Sequence, residues 1–133
     1  MANYGYIHAS LTVDTVRAHL TAVCAALFGD RLAVTDYPPD STVLLVQAPR
    51  VMPATQAEAN RLWLVCGEPA GFAVEVGENR IGFRHGPLSP WLGWVQGCIE
   101  EAISDRLGLP IVYDATGKAH GPGSHRYRNA TGY

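Results

Sequence analysis

The chain has 133 residues, of which 47% are hydrophobic and 17% charged, and its formal net charge is -2. These figures suit one globular domain and exclude two full-sized ones, a disordered chain and a surface built to coat nucleic acid uniformly. The longest apolar candidate, residues 13–28, is interrupted by Asp14, Arg17 and His19, so no transmembrane helix is expected. Met1–Tyr6 also lacks the basic start and apolar stretch of a secretory signal, which makes cytoplasmic residence the expectation. Charge is uneven along the chain. Residues 1–116 carry seven basic and all twelve acidic residues, about -5, whereas 117–133 carry Lys118, Arg126 and Arg128 and no acid.

Residues 4–11 alternate, with Gly5, Ile7, Ala9 and Leu11 on one face and Tyr4, Tyr6, His8 and Ser10 on the other, as a strand requires. Thr12 is placed to cap a following helix. Val16, Leu20, Val23 and Leu27 form its apolar stripe, and Gly29 stops it. Residues 32–35 read as a short strand, 36–40 as a Pro-rich turn and 42–47 as a strand whose Val-Leu-Leu-Val run does not alternate. Residues 48–60 form a connection with room for a short helix at 56–60. Three further strands follow at 61–66, 72–76 and 80–84, separated by Gly-containing turns.

Ser89-Pro90 signals the start of a second helix, with Leu92, Val95, Ile99, Ala102 and Ile103 as its stripe and Gly108-Leu109-Pro110 as its end. A last short strand is expected at 111–114. Strands clustered between two helices indicate an α+β fold, with an antiparallel or mixed sheet of about five to seven strands and both helices on one face. The expected organisation is one domain over residues 1–116, followed by a basic Gly-rich tail over 117–133.

No catalytic signature stands out, and neither a cofactor nor a metal is expected. His8-Ala9-Ser10 resembles one half of the His-x-Ser/Thr pair of two-histidine phosphoesterases, but no second copy follows at His85, His120 or His125. Cys24, Cys66 and Cys98 are odd in number and far apart, which suits reduced core thiols better than disulfides or a zinc site. Neighbouring helical residues point about 100° apart, so Glu100 and Glu101 cannot act as an aligned pair and read, with Asp105, as a solvated helix face. Gly93 and Gly97 weaken the second helix unless another backbone comes close, with Trp91 or Trp94 as the adjoining anchor; the alternative, which is preferred, is that the tryptophans simply close the core.

The sheet face turned away from the helices is the most informative pattern. Tyr4, Tyr6, His8, Arg61, Trp63, Arg80 and Arg84 fall on it, and Tyr, Trp and Arg dominate protein interfaces. With Trp91, Trp94 and the tail residues Arg126, Tyr127 and Arg128, they make the candidate interface. The expected function is a non-enzymatic assembly or protein-binding subunit: a homo-oligomer, an inhibitor-type protein or a virion-type component, binding copies of itself or another protein. The alternative is a small phosphoester-directed hydrolase using His8 and a second histidine. Nucleic acid is disfavoured as a partner by the acidic body, and a membrane by the absence of a spanning helix.

Overall fold

The computed structural model describes residues 3–37, 40–47, 71–85, 90–113 and 119–120. In chain order these form β1 (Asn3–Ile7), α1 (Val13–Phe28), a single 3-10 turn (Gly29–Arg31), β2 (Ala33–Tyr37), β3 (Asp40–Gln47), β4 (Gly71–Val76), β5 (Ile81–His85), α2 (Pro90–Leu107), β6 (Ile111–Tyr113) and β7 (Ala119–His120). The seven strands make one sheet in the order β2-β3-β4-β5-β1-β6-β7, and every pairing is antiparallel. The fold is α+β. β2 to β5 form a meander, and β1 then pairs β5 on one side and β6 on the other. Because β5 and β6 flank the same strand they run in the same direction, so the chain must cross between them, and α2 makes that crossover.

Each helix forms where the sequence places its signals. Thr12 adopts an extended backbone and its Oγ1 accepts from the Thr15 N–H at 3.2 Å, satisfying one of the orphan donors of α1. At the other end Gly29 takes φ 63°, which ends the helix. Val16, Leu20, Val23, Cys24 and Phe28 are the buried residues of α1. They pack with Leu44 and Val46 of β3, Phe72, Val74 and Val76 of β4, Ile81 and Phe83 of β5, and Ile7 of β1. From α2 come Leu92, Val95, Cys98, Ile99, Ala102 and Ile103, so both helices cover the same sheet face. Arg106 Nε also donates to His19 Nδ1 at 2.8 Å, linking the outer sides of the two helices.

Several boundaries differ from the sequence reading for physical reasons. β1 ends at Ile7, although Ala9 and Leu11 still pack against the core beyond it. β2 continues through Asp36 and Tyr37, which had read as turn, with a register irregularity between them. There Asp36 accepts from Arg17 at 2.5 Å, and Arg17 also reaches Asp14 at 2.5 Å, so the strand end is anchored to α1. Gly93 is exposed and a Cβ there would meet nothing within 4 Å, so among the described residues no second backbone approaches it. Ala119 and His120 pair with Val112 and Ile111, which carries the sheet into the segment read as tail. The strand expected at 61–66 and the helix expected at 56–60 lie outside the described residues.

Two measurements check this packing. Thr12→Ala removes the cap and should lower stability by about 1 kcal/mol, read from urea unfolding. Burial pushes the Cys24 thiol above its ordinary range, up to about 12. Its stabilising contribution is therefore intact below about pH 9 and is lost as pH rises toward 12. Iodoacetamide at pH 8, with sites assigned by mass spectrometry, should leave Cys24 unmodified in the native protein and modify it in urea.

Candidate functional site

Two clusters of chemistry-bearing side chains lie on opposite sides of the sheet, and β1 contributes to both. On the side that neither described helix covers, the uncovered side, Tyr4 and Tyr6 stack with ring centroids 5.4 Å apart and planes 12° apart. The Arg80 guanidinium lies over the Tyr6 ring at 4.2 Å, a cation–π contact that extends the stack. Tyr6 stands opposite Gly82 of β5, and Gly82 stands opposite Glu75 of β4. A Cβ at Gly82 would come within 3.1 Å of Tyr6 Cε1 and 3.3 Å of Tyr4 Cδ2. The glycine thus leaves room for both rings to lie over β5.

The Tyr4 hydroxyl hydrogen-bonds the Glu75 carboxylate, which raises the phenol above its ordinary range, with burial adding to the effect. Arg84, opposite Tyr4 in register, pulls the other way more weakly. Tyr4, Tyr6, Thr42, Glu75, Val76, Gly77, Arg80 and Gly82 line a cavity of about 350 Å³. Val43, Leu45, Ala73 and Val112 continue the same face on its flanks and are half-buried.

On the helix-covered side His85, Glu100 and Tyr113 come together from β5, α2 and β6. His85 Nε2 lies 2.6 Å from Glu100 Oε2, and the Tyr113 hydroxyl donates to Glu100 Oε1 at 3.5 Å. The His85 and Tyr113 rings are 5.4 Å apart. The Glu100 side chain is 3% exposed and that of His85 28%, so one edge of the imidazole meets solvent while its carboxylate partner is enclosed. β1 makes space for this carboxylate, since a Cβ on Gly5 would sit 2.9 Å from Glu100 Oε2. Gln96, one turn before Glu100, donates from Nε2 to the Arg84 carbonyl at 2.8 Å, and Ser104, one turn after it, donates to the Leu109 carbonyl.

The sequence expectation of a solvated Glu100–Glu101 face is therefore overturned. Both glutamates are 2% exposed, and only Asp105 of the three is at the surface. The i, i+4 row Gln96–Glu100–Ser104 is polar, and a polar row ordinarily faces water. Here Gln96 and Glu100 are satisfied by groups from β5 and β6, and Ser104 by the turn that follows the helix. The available signal was Gly5, a glycine inside a strand, which often marks close approach by another group.

Of the other expected interface residues, Tyr4, Tyr6, Arg80 and Arg84 gather on the uncovered face. His8 is exposed just beyond β1. Trp94 stands edge-on to Phe28, with ring centroids 6.0 Å apart, and closes the core beside α1. Trp91 belongs to α2, but its side chain lies outside the described residues, as do Arg61, Trp63, Arg126, Tyr127 and Arg128. His8 and His85 do not meet. His85 is in register with Asn3 at the start of β1, whereas His8 follows its end, about 17 Å away along the strand. Among the described residues no three potential metal ligands cluster, and no helix is long and apolar enough to cross a membrane.

No protein-family model matches this chain, and no curated protein or solved structure is significantly similar to it.

The buried pair makes a measurable demand on the fold. His85→Ala removes a donor from an enclosed carboxylate and should cost about 3 kcal/mol. Combined with Glu100→Gln, the loss should be smaller than the sum of the two single losses. Urea unfolding of all four proteins in a double-mutant cycle checks that coupling.

Proposed function

We propose that the chain is a non-enzymatic assembly or protein-binding subunit that works through the uncovered face of its sheet. The observation that supports this reading best is the division of the sheet. Both helices occupy one face, while the other carries the Arg80–Tyr6–Tyr4 stack, Arg84 and a row of half-buried aliphatic side chains. Tyr and Arg bury large areas while keeping hydrogen-bonding ends, the combination found at the energetic centres of protein interfaces. Partly apolar side chains around them supply area that would leave water on docking.

The basic composition of residues 117–133, against about -5 for residues 1–116, supports a second contact with an acidic surface of a copy or partner. A homo-oligomer, an inhibitor-type protein and a virion-type component all use such a surface. Reduced core thiols suit a cytoplasmic setting for any of them. The hydrolase alternative draws less support, because His85 is engaged by Glu100 at the far end of β1 from His8.

Light scattering across concentration tests the proposal as self-assembly. The full chain should give a mass that is a multiple of 14.3 kDa. Leu45→Glu, which places a charge on the uncovered face, should return it to the monomer with unchanged circular dichroism. Removal of the residues after His120, which keeps β7, should weaken the assembly. A full-length mass of 14.3 kDa at every concentration would exclude self-assembly.

A further inference from the structure

The geometry points to the cavity around Glu75 as a pocket for a basic side chain, arginine or lysine, presented by a protein partner. This inference rests on the protein-binding reading of the face and names what its centre recognises. Glu75 projects from β4 between Val43 and Gly82 in register. Its carboxylate receives the Tyr4 hydroxyl, yet Oε2 is closed off from solvent and has no hydrogen-bond partner among the described residues. A buried polar atom without a partner is rare in folded proteins, and a carboxylate oxygen can only accept. The missing group is therefore a donor.

Arg80 lines the same cavity but does not fill that role, because its guanidinium lies over the Tyr6 ring and forms no ion pair with Glu75 among the described residues. Its position also demonstrates that these rings accept a guanidinium. Arg80 and Arg84 are exposed, so water and salt screen their charge, whereas the Glu75 oxygen acts from a site removed from water. A carboxylate oxygen enclosed away from water gains more from a charge-assisted hydrogen bond than from a neutral one, which favours a cationic donor. Thr42 and the tyrosine edges line the rest of a volume suited to one side chain.

Amide chemical-shift titration of the full-length protein with Nα-acetylargininamide tests this. Saturable shifts should centre on Tyr4, Tyr6, Thr42, Glu75 and Gly82. The isosteric neutral probe Nα-acetylcitrullinamide should produce none. Glu75→Gln should weaken arginine binding about tenfold, with the amides of α1 and α2 unmoved as the control for folding. An equal response to the neutral probe, an unchanged affinity in Glu75→Gln, or no response to arginine would overturn the assignment. So would binding that appears only after removal of the residues following His120, since the chain's own basic segment would then be the occupant. An oligomer that persists by light scattering without any arginine response would sink this assignment alone and leave the binding reading standing.

Discussion

The register of β1 governs both sides of the molecule. This strand is hydrogen-bonded along both edges, to β5 and to β6, so its two-residue alternation is fixed by neighbours on either side. Gly5 and Ile7 point toward the helices, and Tyr4 and Tyr6 point away. A slip of one residue would place tyrosine rings where Glu100 and Ile111 now sit, and would expose Ile7, which is fully buried. The strand tolerates such different demands on its faces because its inward residue at the most crowded position has no side chain. Gly5 admits a carboxylate, and Gly82 beside it admits the rings, so two glycines on adjacent strands open space on opposite faces.

The covered face is less purely apolar than an antiparallel sheet under two helices needs to be. Residues 95–104 of α2 are all buried, and no helix can be enclosed over such a span while keeping a polar stripe in water. Gln96, Glu100 and Ser104 instead hydrogen-bond a strand carbonyl, a histidine and the carbonyl of Leu109. Each bond is stronger away from water, and each group would be costly without its partner. The row therefore ties the position of α2 to β5 and to the turn after the helix, in a way that interchangeable aliphatic contacts would not.

Local signals made much of the fold legible. The Thr12 cap, the Gly29 stop, the stripe from Val16 to Leu27 and the alternation of Tyr4 to Ile7 all act within a few residues, and the helices and strands form where those signals lie. β2 ran longer than its sequence suggested because Arg17 holds Asp36 across space, a contact separated by 19 residues that no local pattern displays. The outward side of β1 could be anticipated, since alternation puts Tyr4 and Tyr6 together, whereas Arg84 joins them only through the pairing of β1 with β5. The His85–Glu100–Tyr113 cluster could not, because its members come from three elements and their proximity depends on strand order. Charged residues on a helix read as solvated unless the partners that enclose them are known.

The two carboxylates illustrate how placement, more than residue type, decides chemical availability. Glu100 is enclosed with a histidine and a tyrosine already directed at its two oxygens, so its hydrogen-bonding capacity is used in holding the fold together. Glu75 lies on the other side of the same sheet with a tyrosine directed at it and one oxygen left over. The nearest cation lining that cavity is held on a ring. Were Arg80 released from Tyr6 to pair with Glu75, the stack would lose its cation and the cavity its acceptor. Packing the guanidinium on the aromatic face leaves the carboxylate oxygen unpaired, and an acceptor preserved in this way can take a donor from outside the fold once the side chains around it part.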